Sequence, residues 1–177
     1  MPVNTHCKSW EIKKIPIPFF YIRKTMYQST PQPSSLLYSI YTLVIRSMEP
    51  TDPFFTKDAW AREAGIELME VSAGRAKVRM RIAGRHVNSH GTVHGGAIFT
   101  LADTAFALAS NSHGTPAAAI NAHISYVKAA TAGTLYAEAG ETSLNPKIAT
   151  YTVTVTDDNG EIIALFQGMV YRKTPGR

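Results

Sequence analysis

The chain has 177 residues, 45% of them hydrophobic, enough for one well-buried domain. Its formal charge of +5 arises wholly within residues 1–47, which hold six Lys/Arg and one acid, while residues 48–177 hold twelve of each sign. A neutral folding unit presents no basic face to nucleic acid, and the single cysteine, Cys7, leaves neither a disulfide framework nor a thiol nucleophile within 48–177.

Residues 1–47 read as an extension outside the fold. Ile15-Pro16-Ile17-Pro18 and Thr30-Pro31-Gln32-Pro33 block regular helix. The apolar run from Leu36 to Ile45 is ten residues, short of a membrane span. The segment also lacks the ordered charged, apolar and small-residue regions of a secretory signal. Met48 is the expected natural start of the folding unit 48–177, with a targeting or anchoring role for 1–47 as the alternative. A cytoplasmic setting, off the membrane, suits the absence of paired thiols.

A short helix is expected near 56–64, then two strands, Ile66 to Val71 and Arg75 to Ile82, joined by Ser72-Ala73-Gly74. In the second strand Ala76, Val78, Met80 and Ile82 alternate with Lys77, Arg79 and Arg81, the pattern of a half-buried strand. A polar loop, Asn88 to Gly96, leads into the run Ala97 to Ser110, apolar on almost every side except for Asp103. Such a helix belongs in a core, and at about 21 Å it is too short to cross a bilayer. Thr92 is its expected N-cap and Gly114 its stop. Four strand-like runs follow, at 117–128, 134–143, 147–156 and 161–172, with Asn159-Gly160 as a hairpin turn between the last two. In 118–126, Ala118, Ile120, Ala122, Ile124 and Tyr126 should face the helix. Asn121 and His123 then line a substrate channel, an interface between dimers, or solvent. One long helix with antiparallel strands is α+β, the sheet curled around the helix.

The chemistry concentrates on that helix. Gly95 and Gly96 sit at its start, where backbone N–H groups lack partners inside the helix and the dipole is positive. Glycine there costs roughly 1 kcal/mol of helix propensity per residue, and it opens bare backbone to a ligand carrying a negative oxygen. The alternative is that the pair admits a neighbouring strand. Asp103 is an acid in an apolar setting, which costs several kcal/mol unless it is paired, and the helix holds no Lys or Arg. Its structural alternative is a bond to a nearby amide. Gly95 and Asp103 are eight positions apart, roughly 12 Å along the axis and about 80° around it. One small reacting group cannot touch both within one chain. If both serve one carbonyl, they come from two chains, as in a two-fold dimer with antiparallel central helices.

At these residues the chain resembles the hotdog-fold acyl-CoA thioesterases, and most closely their phenylacetate-degradation branch. The resemblance rests on Asn88, His94-Gly95-Gly96 and Leu101-Ala102-Asp103. Asp52-Pro53, Asn111-Ser112, the Tyr126–Gly133 region and Asp158-Asn159-Gly160 extend it over nearly all of 48–177. It implies a curled antiparallel sheet around one central helix, and subunits paired as homodimers or homotetramers. By position it implies that the Gly95 amide holds the oxyanion and that Asp103 is nucleophile or general base. Asn88 would fix the carbonyl or the attacking water, with His94 as a second polar support. Gly96 and Asn121 are candidate substrate contacts.

Thioester hydrolysis is consistent with these residues on chemical grounds alone. A backbone donor at a helix start stabilises an oxyanion by about 3–4 kcal/mol, and a thiol of pKa about 8.5 departs without a strong acid. No metal or cofactor is expected, and no Gly-x-Ser-x-Gly serine hydrolase motif is present. The expected activity is hydrolysis of an aryl (phenylacetyl or hydroxyphenylacetyl) or medium-chain acyl-CoA. Rivals are a hydratase or dehydratase on the same fold and a non-catalytic acyl-CoA-binding regulator. Arg85, Lys128 and Lys147 are candidate partners for CoA phosphates, against a default of solvated surface charge.

Overall fold

The computed structural model describes residues 52–173. The expectations for residues 1–47 lie outside the described residues. A 3-10 turn, Phe55–Lys57, and helix α1, Ala59–Glu63, are followed by β1 (Ile66–Ser72) and β2 (Arg75–Arg81). After a second 3-10 turn, Gly84–His86, come α2 (Gly95–Asn111), β3 (Ala117–Tyr126), β4 (Thr134–Leu144), β5 (Ile148–Thr156) and β6 (Ile162–Arg172). The element boundaries expected for β1, β2, β5 and β6 hold to within a residue or two.

The six strands form one sheet in the order β1-β2-β4-β5-β6-β3, every pair antiparallel. Alternation decides which face curls inward. Ala76, Val78 and Met80 of β2, Leu135, Ala137 and Ala139 of β4, and Tyr151, Val153 and Val155 of β5 are all buried. Their register keeps them on one face: Val78 opposes Ala137, which opposes Val155. That face holds α2, which packs against all six strands. Among its buried residues are Ile98, Leu101, Ala102, Ala105, Phe106, Leu108 and Ala109. This is the α+β arrangement expected, with the sheet wrapped on the helix. No helix among the described residues is long and apolar enough to cross a membrane.

β3 departs from the expected alternation. Its register against β6 slips between Ala119 and Asn121, leaving Ile120 without an opposite number. An extra residue of this kind reverses the facing of everything before it. Ala122, Ile124 and Tyr126 oppose Gly168, Phe166 and Ala164 on the inner side, as expected, while Ile120 turns out and is 56% exposed. β3 is also the sheet's edge, bonded only to β6.

The core closes on Phe106. Its ring lies 5.5 Å from that of Phe166 and 5.7 Å from that of Tyr151. Backbone of β6 passes so near that a Cβ on Gly168 would stand 2.7 to 2.9 Å from Phe106 ring atoms. Phe106 is held on its other sides and cannot retreat. Gly168→Ala is therefore expected to destabilise the fold by about 1–3 kcal/mol through overpacking. Urea unfolding checks this, and an unchanged midpoint would show that β6 can move away from α2.

Candidate active site at the start of the central helix

His94, not Thr92, caps α2. His94 is extended, at φ −61° and ψ 134°, and its Nδ1 accepts from the Gly96 N–H at 2.8 Å. The ring reaches that amide because Gly96 has no Cβ, which would lie 2.9 Å from His94 Nδ1. An Nδ1 that accepts places the neutral ring's proton on Nε2, so His94 turns a donor outward. Gly96, expected as a substrate contact, has its N–H committed to the cap. Among the described residues nothing occupies the Gly95 N–H, the preceding amide.

Thr92 is drawn instead into a closed turn by Asn88. Asn88 Oδ1 accepts from the backbone of His90 and of Thr92, at 2.9 and 3.2 Å, and Asn88 Nδ2 donates to Thr92 Oγ1 at 3.0 Å. The residue expected to hold a carbonyl or water thus organises the loop leading to the helix. One Nδ2 hydrogen stays uncommitted among the described residues. The loop is braced from below by a bridge between Val87 and Val93 and by His86. His86 is buried, with Nδ1 accepting from Ala83 N and Nε2 on Ala64 O at 2.9 Å. His86, His90 and His94 recur every four residues, but on a turn and a loop rather than one helical face. Among the described residues no cluster of His, Cys, Asp or Glu is arranged to hold a metal.

The sheet leaves one stripe of α2 uncovered: Gly96, Thr100, Asp103 and Ala107 are all only partly buried or exposed. Thr100 Oγ1 donates to Gly96 O at 2.9 Å and accepts from Trp60 Nε1 at 3.2 Å. Asp103 lies on this stripe, half-buried, with no hydrogen-bonding or ionic partner among the described residues. Burial pushes its carboxyl above the usual carboxylate range, and the nearby charge of Asp58 adds to the shift. Asp58 itself caps α1, accepting from Ala61 N at 3.0 Å.

Two flanking aromatics were not singled out from sequence. Tyr126, at the inner end of β3, donates to Gly95 O at 3.0 Å, and its ring stands 3.1 Å from where a Gly95 Cβ would be. Its inward phase was legible from alternation, but its reach to the helix start was not. Trp60 on α1 lies on the other side of the stripe, 69% exposed. A tryptophan in a short helix of charged and small residues was the available signal. Asn121 is five residues from Tyr126 along the edge strand, about 17 Å at the usual rise, so within one chain it does not join Gly95.

The three candidate phosphate cations are engaged elsewhere. Arg85 packs where a Gly65 Cβ would be, Lys128 pairs with Glu161 at 3.0 Å, and Lys147 lies 5.7 Å over the Tyr171 ring. A cleft of about 520 Å³ runs beside Arg81, Val87, Thr131 and Asp158, and touches neither Gly95 nor Asp103.

Comparison with known proteins places the chain in a family. Residues 90–164 match the model of the Thioesterase superfamily. A protein of Archaeoglobus fulgidus named as a candidate esterase is 50% identical over 122 residues, 68% of this chain and 79% of that one. The acyl-coenzyme A thioesterase PaaI of Escherichia coli is 34% identical over 119 residues, 67% of this chain and 85% of its own. A solved mutant of the phenylacetic acid degradation protein PaaI from Thermus thermophilus superposes with a TM-score of 0.63 at 38% identity, covering 66% of this chain and all of that one.

The arrangement predicts that Asp58→Asn lowers the titration midpoint of Asp103. The substitution removes a negative charge that favours the protonated acid, while asparagine keeps the cap. Carboxyl carbon NMR reads the midpoint directly. A midpoint that stays or rises would mean that Asp58 does not reach Asp103.

Proposed function

The chain belongs to the thioesterase superfamily and is a thioester hydrolase with the hotdog fold, and from that premise we propose how it acts and on what. The substrate is an aryl acyl-CoA of the phenylacetyl or hydroxyphenylacetyl type, or a medium-chain acyl-CoA. It is cleaved in the cytoplasm to the free acid and CoA. The working unit is a homodimer, alone or paired into a tetramer, with two equivalent sites.

The observation that carries this reading is a pair of unsatisfied groups on α2. The Gly95 N–H has no partner among the described residues, and Asp103 is half-buried without a counter-charge. Leaving such groups unpaired costs stability, and a substrate whose carbonyl becomes an oxyanion repays both. They stand roughly 12 Å apart along the same helix, so the reaction needs the second copy. The exposed edge strand supports that copy's position. β3 carries free backbone donors and acceptors along with exposed Ile120 and, just after the strand, Val127, the kind of edge that pairs with another strand.

In the proposed reaction the thioester carbonyl points its oxygen at the Gly95 N–H. The carboxylate of Asp103 from the partner subunit attacks the acyl carbon or takes a proton from the attacking water. The tetrahedral oxyanion is held by the Gly95 amide at the positive end of the helix. It collapses with loss of CoA thiolate, which needs little protonation; where Asp103 is the nucleophile, water then hydrolyses the acyl–aspartyl anhydride to the free acid and restores the carboxylate. Tyr126 holds the Gly95 carbonyl, in the peptide whose N–H His94 caps, and so steadies the residue that carries the oxyanion donor. His94 contributes its Nε2 hydrogen and Asn88 its uncommitted Nδ2 hydrogen to the carbonyl or to water. Asn121 meets the acyl carrier or the neighbouring subunit from the edge strand. Because Asp103 works ionised and its carboxyl titrates high, turnover falls on the acid side of neutrality earlier than for an ordinary carboxylate.

Asp103→Asn is expected to lower kcat by roughly a hundredfold or more, the usual worth of a general base, with a much smaller change in KM. Release of free thiol from phenylacetyl-CoA measures this. Near wild-type turnover by the variant would remove Asp103 from the chemistry.

A further inference from the structure

Trp60 has no part in the scheme above, yet its position is tightly specified. Two carboxylates fix the segment that carries it. Asp52 Oδ1 accepts from Phe54 N and Phe55 N, at 2.7 and 3.1 Å, and Asp58 Oδ1 caps α1. The indole N–H then donates to Thr100 Oγ1, which itself donates to Gly96 O. This chain of bonds ties the indole to the uncovered stripe of α2. Thr100 precedes Asp103 by three residues and follows Gly96 by four, so it shares a helical face with both. An indole whose one polar atom is satisfied, and which is still 69% exposed, offers a flat apolar surface and little else. Water is a poor neighbour for such a surface. An acyl group beside Asp103 is a good one.

We propose that Trp60 is the acyl-specificity residue, its ring forming the wall against which the aromatic or extended apolar part of the acyl group lies. The proposal rests on the thioesterase reading and deepens it. It explains why a tryptophan so exposed is held in place by capping and side-chain bonds. α1 packs on α2, Asp58 at its start adds to the upward push on the Asp103 carboxyl, and Trp60 follows two residues later. The preference it confers is for phenyl-bearing or longer chains over acetyl, because a two-carbon acyl group is too short to cover the ring. The step it influences is binding and orientation of the acyl group. No proton or electron passes through it.

The test is the ratio of kcat/KM for phenylacetyl-CoA to that for acetyl-CoA, from free-thiol release, in the wild type, Trp60→Ala and Trp60→Phe. Trp60→Ala should reduce the ratio about tenfold, the usual scale for apolar pocket contacts, mainly through KM for phenylacetyl-CoA. Trp60→Phe keeps a flat ring and should hold the ratio within about threefold of the wild type by the same scale. An unchanged ratio in Trp60→Ala overturns the proposal. An equal loss of ratio in both variants overturns it as well, since that outcome assigns the effect to the bond with Thr100. If the wild type releases thiol from neither ester, the aryl-substrate reading fails, and this inference with it. A wild type that is active, together with a Trp60→Ala that keeps the ratio, sinks the inference alone.

Discussion

The wrapping of α2 by a single antiparallel sheet is the constraint on which the rest depends. A helix this apolar is stable only where other elements cover it. The six strands supply that cover with the inner faces of β2, β4, β5 and β6, and with Phe106 locked between Phe166 and Tyr151. Full cover would leave no site. The sheet closes around most of the helix but leaves the Gly96–Thr100–Asp103–Ala107 stripe, and the groups proposed to react lie on that stripe or at its start. The covered part of the helix supplies stability, and the bare stripe is where the proposed chemistry takes place.

Asp103 shows what that division costs. Its carboxyl has no counter-charge, is half-buried, and faces the field of a second acid, Asp58, so it holds its proton more tightly than an ordinary aspartate. A structural carboxylate would be expected to have a partner. At the helix start the same logic applies in reverse. His94 caps the Gly96 N–H and leaves that of Gly95 bare, while Tyr126 holds the carbonyl of the capped Gly95–Gly96 peptide. Capping the second helical amide while the first stays free aims the helix end at a ligand.

Much of this was legible in the chain. Strict alternation in Arg75–Arg81 pointed to a strand and its facing, and the run from Ala97 onward to a core helix. The Gly95–Gly96 pair and the lone Asp103 pointed to the site proposed above. What escaped were long-range contacts. The N-cap went to His94 because its imidazole can turn back onto Gly96, a possibility that ranking cap residues by type passes over. The outward turn of Ile120 follows from a one-residue bulge, which leaves no mark in the hydrophobic pattern of β3. Trp60 and Tyr126 lie 40 and 31 residues from their partners, Thr100 and Gly95, and no local periodicity connects them.

The central claim is that each site joins the helix start of one subunit to Asp103 of the other. Two variants, each disabled at one half, test it most directly. Gly95→Pro deletes the oxyanion N–H at the first helical position, where proline keeps the helix, and Asp103→Asn removes the base. Each alone should be inactive. Mixed by co-expression, they should recover about a quarter of the wild-type rate, since half the dimers are mixed and each of those has one complete site. If the mixture stays as inactive as its parts, although the mixed dimer is shown to form, both groups act within one chain and the account is wrong.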